Sequence, residues 1–380
     1  MDWQLTDRQL EVRQAARQFA AERIAPWAAQ IDRHQTTPEE VLLAMRDSGY
    51  LGSALPAQWG GGATDPIGYG LATEEIGRVC SSVRSLMTVH NMTAQAIAKL
   101  GSGAQRAQWL PDLCAGRKIA AFALSEPGAG SATSAIETTA TIRGNEFLLR
   151  GTKKWITYGQ VADVFLVFAH CDGQAIALLV DRKSDGLGIE PLTEMEGTRG
   201  SMLALVTFRD VAVPKDNQIG PTGSGLSLVS NIALDHGRFS VAWGSTGIVH
   251  ACLDACVDYV ERREQGGQKL REHQLVRRHV ADMLVSATAS RALCLRSAHL
   301  RQTGDPRAVM ETCVAKYHAS TAAVRAATTA VHLHGANGCS GDYPVGRYLR
   351  DSMVMSIIEG SDEIHQITLG NYALQRPYLD

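Results

Sequence analysis

The apolar residues of this chain change their spacing twice, and few folds accommodate that order. From residue 5 to about 115 they recur with the period of a helix, as in Leu10, Val12, Ala15, Phe19, Ala20 and Ile24. Thr37-Pro38-Glu39-Glu40 reads as a helix start with proline at the first position, and Leu42, Leu43 and Met45 follow it to a stop at Gly49-Tyr50-Leu51-Gly52. Gly60-Gly61-Gly62 is a loop, and Asp65-Pro66 opens another helix. From about 119 the spacing becomes that of strands. Ile119 to Leu124 is a short apolar run, and residues 138–142 and 146–149 flank Gly144-Asn145, a two-residue hairpin signal. Val164 to Phe168 and Ile176 to Val180 flank Cys171-Asp172-Gly173, and Leu203 to Phe208 is a further strand followed by Val213-Pro214. After about 222 the helical period returns. Val249, Leu253, Cys256 and Val260 make one stripe, and Ile248, Cys252, Ala255 and Tyr259 a second, so this helix is expected to be buried among others. Leu275, Val276, Val280, Met283 and Leu284 continue the pattern, and Asp305-Pro306 starts the next helix. The order predicts an α+β protein: an N-terminal helical domain over 1–118, a mostly antiparallel β-domain over 119–222 and a C-terminal four-helix bundle over 223–380.

A chain of 380 residues exceeds what one core usually holds, which agrees with several packed domains. The formal net charge of −2 and the lack of a basic block argue against nucleic acid as a partner. The start, Met1-Asp2-Trp3-Gln4-Leu5-Thr6-Asp7, lacks the basic-then-apolar pattern of a signal peptide, and no apolar run approaches the roughly 20 residues of a membrane span. A cytoplasmic protein is expected. The eight cysteines contain no Cys-x-x-Cys pair; they read as small core residues in a reducing compartment, and no metal site is expected.

Three segments carry candidate chemistry. Leu124-Ser125-Glu126-Pro127-Gly128-Ala129-Gly130-Ser131 follows a strand; its glycines allow close backbone approach and its hydroxyls can donate, which suits a polar cofactor edge or equally a tight connection. It is not a dinucleotide fingerprint, because G-x-G-x-x-G and a following βαβ unit are both missing. Lys153-Lys154-Trp155-Ile156-Thr157 ends the second hairpin strand; Trp155 and Thr157 can offer an aromatic wall and a hydroxyl, or Trp155 can be core. Glu359 lies between two isoleucines and Gly360, where partial desolvation would raise its pKa and make it a better proton acceptor, although on this segment alone Glu-Gly-Ser more often marks a plain surface turn. Ser361 can cap the helix that follows, with Asp362 and Glu363 in its first turn.

The joint order of these motifs resembles the acyl-CoA dehydrogenase family of flavoproteins over essentially the whole chain. The series runs through the Gly52–Gly62 segment, Ser125 to Ser131, Lys154 to Thr157, Leu234-Asp235-His236-Gly237-Arg238, Arg263 with Gly267 and His273-Gln274, Gly335-Ala336-Asn337-Gly338, Tyr343-Pro344-Val345, Arg350-Asp351 and Ile358-Glu359-Gly360-Ser361. The resemblance implies FAD as cofactor, lined by Phe122, Leu124, Ser125, Ser131, Trp155 and Thr157, with Ser361 and Glu363 also touching it. It places Arg263 on the pyrophosphate of a neighbouring subunit's FAD, and His332, Gly335 and Ala336 along its adenine side. Asp235 and Arg238 would hold the pantetheine arm of a thioester, although three apart on one helix they could also be a plain ion pair. Glu359 would take the α-proton while a β-hydride leaves for flavin N5, giving a trans-2-enoyl thioester. Implied partners are an acyl-CoA or acyl-carrier-protein substrate, an electron-transferring flavoprotein or oxygen as acceptor, and further copies of the chain in a homotetramer or homodimer. An oxidase or monooxygenase on this fold, and a non-catalytic helical binding protein, are the alternatives. The chain departs from the family at Tyr158 (commonly Asn), Ala132 (often Asp), Gly266 (usually Phe), His332 (usually Gln) and Ala336 (the second glycine of a Gly-Gly-x-Gly run). These departures argue against an ordinary fatty acyl-CoA substrate; the Ile357-Ile358-Glu359-Gly360-Ser361 wording is similar to that of the subgroup that acts on carrier-protein thioesters in secondary metabolism, and Gly266 implies either lower flavin affinity or a reshaped adenine end.

Overall fold

The computed structural model describes residues 4–376. Met1, Asp2 and Trp3, used above in reading the start of the chain, and residues 377–380 lie outside the described residues. The chain opens with α1 (Asp7–Phe19), whose start is a capping box in which Thr6 and Gln9 satisfy each other's backbone N–H groups. Then come α2 (Ala28–His34), α3 (Glu39–Asp47), α4 (Pro66–Val79), α5 (Ser81–Leu100) and α6 (Gly103–Cys114). Asp65 caps α4 by accepting from Gly68 N at 2.9 Å, as the Asp-Pro pair predicts. The expected start of α3 shifts by one residue. Pro38 is its N-cap, and the Thr37 hydroxyl instead donates to Gly200 O at 2.7 Å and lies 3.0 Å from Tyr158 Oη. That bond ties the first helices to the β-domain.

The β-domain is one seven-stranded sheet of β1 (Ala120–Ala123), β2 (Thr139–Arg143), β3 (Glu146–Ile156), β4 (Val164–Cys171), β5 (Gln174–Asp181), β6 (Leu187–Pro191) and β7 (Ala204–Pro214). The order is β1-β4-β2-β3-β7-β6, with β5 beside β4. Only the β1–β4 and β2–β4 pairs are parallel; the others are antiparallel. Both hairpin signals hold: Arg143 pairs with Glu146 and Cys171 with Gln174, leaving two-residue turns. The short β6 was not legible, having only Leu187 and Ile189 as apolar residues before Pro191.

The last third contains α7 (Ser230–Arg262), α8 (Gln274–Gln302), α9 (Ala308–His334), α10 (Val345–Met355) and α11 (Asp362–Leu374). A small hairpin of β8 (Glu264–Gln265) and β9 (Gln268–Lys269) follows α7. Its turn is Gly266-Gly267 with φ of 64° and 79°, so Gly266 answers a backbone demand that Phe would meet only with strain. The helix α7 is the common packing partner of the helices: α4, α5, α8, α9 and α10 all pack on it. Its two stripes are buried at Ile248, Val249, Cys252, Cys256, Tyr259 and Val260. The pattern on α8 has a different outcome. Met283 is buried, but Leu275 and Leu284 are 69% and 55% exposed, so within one chain nothing covers that face. Among the described residues no helix is long and apolar enough to cross a membrane. All eight cysteines are free, seven buried and Cys339 exposed.

Candidate active site

Between α10 and α11 the chain makes a left-handed turn. Glu359 has φ 57° and Gly360 φ 94°. A glutamate there costs about 1 kcal/mol or more of backbone strain, which persists only where surrounding structure holds it. Two cations, half-buried Arg238 and fully buried Lys316, supply the hold through main-chain oxygens. Arg238 Nε on α7 donates to Glu359 O at 3.1 Å, and Lys316 Nζ on α9 donates to Gly360 O at 2.7 Å. The Ser361 hydroxyl then caps α11 by accepting from Ile364 N.

The Glu359 side chain is treated differently. Its Oε2 is buried and has no hydrogen-bond partner. It occupies a recess that exists because residue 237 is glycine: a Cβ there would lie 2.5 Å from Glu359 Oε2 and 2.9 Å from Met92 Sδ. Burial pushes the Glu359 carboxyl up to about 7 against the opposing pull of Arg238, Lys316 and Arg84. Burial likewise brings the Lys316 ammonium down to about 8. A carboxylate with no donor on it, in a walled recess and poised near neutrality, is suited to accept a proton.

The Ser125–Ser131 loop is strapped down from inside. Lys153, fully buried on β3, donates to Leu124 O at 3.1 Å and to Glu126 Oε1 at 2.7 Å. Glu126 also accepts from Glu137 N at 2.6 Å and from both the N–H and the hydroxyl of Thr138. Lys154 N donates to Ser125 O at 2.9 Å. With its interior strapped, the loop presents half-buried Ser125 and exposed Ser131 outward. Lys153→Met leaves a buried carboxylate without its cation. It is expected to cost about 3 kcal/mol, the scale of breaking a buried pair, and denaturant unfolding checks it; an unchanged midpoint would overturn the strap.

Trp155 is not a core residue. It is 48% exposed, has φ 65°, and carries Lys154 Nζ 4.4 Å from its ring centroid. A strained backbone that turns a large ring to solvent makes Trp155 a candidate contact for a bound group. Tyr158 has φ 53°, a region where Asn is favoured, and uses the position differently: its buried hydroxyl donates to Ser82 O at 3.0 Å. Phe122 is half-buried, edge-on to Phe168 at 5.1 Å, and packs with Leu234 beside Met92. Leu124 is buried and Thr157 half-buried.

A second group of expected residues meets elsewhere. Arg263, His332, Gly335 and Ala336 line one cleft of about 240 Å³ at the junction of α7 and α9. Arg263 is the C-cap residue of α7. Gly335 has φ 61° and ψ −137°, with nothing within 4 Å of where a Cβ would stand. Tyr259 and His334 stack at 4.1 Å to wall the cleft.

One alternative falls. Asp235 and Arg238 are not an ion pair: Asp235 Oδ1 accepts from Arg301 Nη2 of α8 at 2.5 Å, while Arg238 turns to the Glu359 carbonyl. Glu363 is exposed in the first turn of α11, its carboxyl held below the usual range by the Ser361 hydroxyl. The residues to which reading alone gave no role are Lys153, Lys316, Gly237 and Arg84. Lys153 had a visible signal, a cation at an inward position of a strand whose buried residues alternate.

The same three-part frame occurs in known proteins. Residues 6–117, 121–211 and 223–374 match the models for the N-terminal, middle and C-terminal domains of acyl-CoA dehydrogenase. A short-chain-specific acyl-CoA dehydrogenase of Clostridium acetobutylicum is 33% identical over 375 residues, covering 97% of this chain and 98% of that protein. The solved butyryl-CoA dehydrogenase of Megasphaera elsdenii superposes with a TM-score of 0.95 at 31% identity, covering 98% of this chain and 100% of the other. A glutaryl-coenzyme A dehydrogenase in complex with glutaryl-CoA gives 0.94 at 30% identity, with 99% and 97% covered. Matched along all three parts of its fold, this chain belongs to the acyl-CoA dehydrogenase family.

Proposed function

We propose that this chain carries out the FAD-dependent α,β-dehydrogenation of an acyl thioester, with Glu359 as the base that takes the α-proton. The observation that carries the reading is the unpartnered Glu359 carboxylate, poised near neutrality in the Gly237 recess. An α-proton beside a thioester becomes removable when donors stabilise charge on the carbonyl oxygen. The Glu359 backbone N–H has no acceptor among the described residues and can serve as one such donor. Arg238 and Lys316 fix that N–H by gripping the carbonyls on either side of the turn.

The residues present fit FAD. Exposed Trp155 offers a wall for a flat ring, and the Ser125, Ser131 and Thr157 hydroxyls offer donors beside it. Arg263 forms no ion pair among the described residues, and the exposed glycine at 335 leaves room for close approach, which suits a diphosphate and its nucleoside. FAD, when bound, supplies the two-electron acceptor for the β-hydrogen. The two groups of residues sit at separate places on one chain, and the apolar face of α8 lies open. Both features support a homo-oligomer in which one copy's cleft serves its neighbour's cofactor. Coenzyme A and a carrier protein's phosphopantetheine arm present the same thioester. An electron-transferring flavoprotein is the acceptor we favour, and reoxidation by it against oxygen separates a dehydrogenase from an oxidase.

Anaerobic bleaching of the flavin by a panel of acyl-CoA and acyl-carrier-protein thioesters tests the reading. Bleaching is expected with at least one handle, and none across the panel would sink it. The pH dependence follows from the base. Glu359 must be ionised to accept a proton, so kcat/KM is expected to rise with pH, reach half its plateau at about 7 and stay flat above. A rate that falls across that range would reverse the assignment.

A further inference from the structure

His365 is the one residue of α11 that is fully buried, and its ring lies against the turn that carries Glu359. A Cβ on Gly360 would stand 3.3 Å from His365 Nε2 and 3.7 Å from its Cδ2, so the imidazole edge rests on the bare Cα of that glycine. Lys316 and Arg238 reach the same few main-chain atoms, at Gly360 O and Glu359 O. Asp362 is engaged elsewhere: its Oδ1 accepts from the Ser320 hydroxyl at 3.0 Å and lies 3.7 Å from Lys316 Nζ. The Glu359 carboxylate occupies the Gly237 recess.

Burial, with Lys316 and Arg238 beside it, brings the His365 imidazole down to about 4. At neutral pH the ring is therefore uncharged and has one N–H to give. Its Nε2 is buried and has no hydrogen-bond partner among the described residues. His90, fully buried on α5, shows the usual outcome for such a ring: its nitrogens meet Leu113 O at 3.1 Å and Ala120 N at 3.3 Å. A buried polar group left unpaired is costly, and a native interior keeps one for a reason. The Glu359 carbonyl is within reach of the His365 ring, and Arg238 Nε takes only one of its two lone pairs.

We propose that His365 is a positioning residue for Glu359: its Nε2–H closes on the second lone pair of the Glu359 carbonyl when a thioester binds, and locks the turn in the geometry in which the base takes the α-proton. The inference rests on the dehydrogenase reading. A thioester oxygen that accepts from the Glu359 N–H draws the turn toward the substrate. Hydrogen bonds of this kind are long in a ligand-free enzyme and tighten in the complex. Arg238 and Lys316 grip the turn through long, flexible chains, whereas an imidazole is short and stiff and loses little freedom when it closes. Being neutral, it also adds no third positive charge beside those two.

The test uses the FAD-loaded enzyme under anaerobic conditions, with whichever acyl-CoA or acyl-carrier-protein thioester bleaches the wild type fastest. His365→Met removes the N–H and keeps an adaptable chain of similar size, and His365→Gln keeps an N–H at similar reach. The Met variant is expected to retain its flavin and to unfold at or above the wild-type midpoint, because an unpaired buried polar group is gone. Its limiting bleaching rate is expected to fall about 10-fold, the scale of one hydrogen bond felt in the transition state. Its half-saturating thioester concentration should stay within about threefold of wild type, because the lost contact acts on the base and not on the thioester's handle. The Gln variant should bleach within about threefold of wild type. A Met variant as fast as that overturns the inference. So does a Gln variant that falls with Met in both rate and midpoint, which would make the ring packing alone. Should the Met variant not fold, His365→Leu takes its place, and a fold that accepts neither needs the ring for packing and overturns the inference as well. If no thioester bleaches the wild type, the dehydrogenase reading falls and takes the inference with it. If wild type and Met variant bleach alike, the inference falls alone.

Discussion

Glu359→Gln is expected to keep its flavin and lose turnover by about 10⁴-fold, the upper range for removing a general base. The substitution preserves shape. The turn is held through the carbonyls of residues 359 and 360, which glutamine also presents to Arg238 and Lys316. What disappears is the proposed acceptor of the α-proton. Stability is expected to move in a pH-dependent way. Burial raises the Glu359 carboxyl to about 7, so the folded wild-type chain favours the protonated form. That contribution is fully present below the unfolded carboxylate range and is lost as pH rises through about 7. Glutamine has no such loss, so the variant should gain on the wild type between pH 5 and pH 8. Visible spectra, anaerobic bleaching and unfolding midpoints at the two pH values check this. A variant that still bleaches at the wild-type rate would remove Glu359 from the chemistry.

Gly237→Ala is expected to separate activity from stability. An alanine Cβ would stand 2.5 Å from Glu359 Oε2 and 2.7 Å from its Cδ, closer than real contacts allow. The obstructing atoms are the ends of two flexible side chains, Glu359 and Met92, so the backbone need not move. The base moves instead, and a displacement near 1 Å is enough to cost about 10² in rate. Within a helix, alanine is favoured over glycine by about 1 kcal/mol, which offsets the repacking. The expected result is a folded, flavin-bearing protein with an unchanged or slightly raised unfolding midpoint and a bleaching rate two orders lower. A rate within threefold of wild type would show that the recess does not position the base.

Local signals were legible in the sequence, and the contacts that join distant segments were not. The change of period, both two-residue hairpins, the Asp65 cap and the Ser361 cap each depend on a few neighbouring residues, and each appears in the structure. The Glu359 turn was legible for the same reason, as an apolar run broken by glycine. An ion pair between Asp235 and Arg238 was one of two readings, because helices make such pairs three residues apart, but Asp235 meets Arg301 from another helix 66 residues on. Thr37 read as a cap, yet its hydroxyl is used by Gly200 and Tyr158, which only the fold brings near. The apolar stripe of α8 was read as core, and one chain alone leaves half of it bare. Gly237 gave a sign that went unused: a glycine inside a 33-residue helix is unfavourable on its own account, so something must need the space.

The turn at Glu359 has a consequence for how such an enzyme can change. Arg238 and Lys316 grip carbonyl oxygens, which every residue possesses, and neither holds the side chain. The position is therefore a socket, fixed by its rim and indifferent to what is plugged into it. The left-handed backbone there favours short polar residues such as Asn and Asp over most others. A single substitution at this position can therefore change the side chain while leaving both grips on the main chain in place.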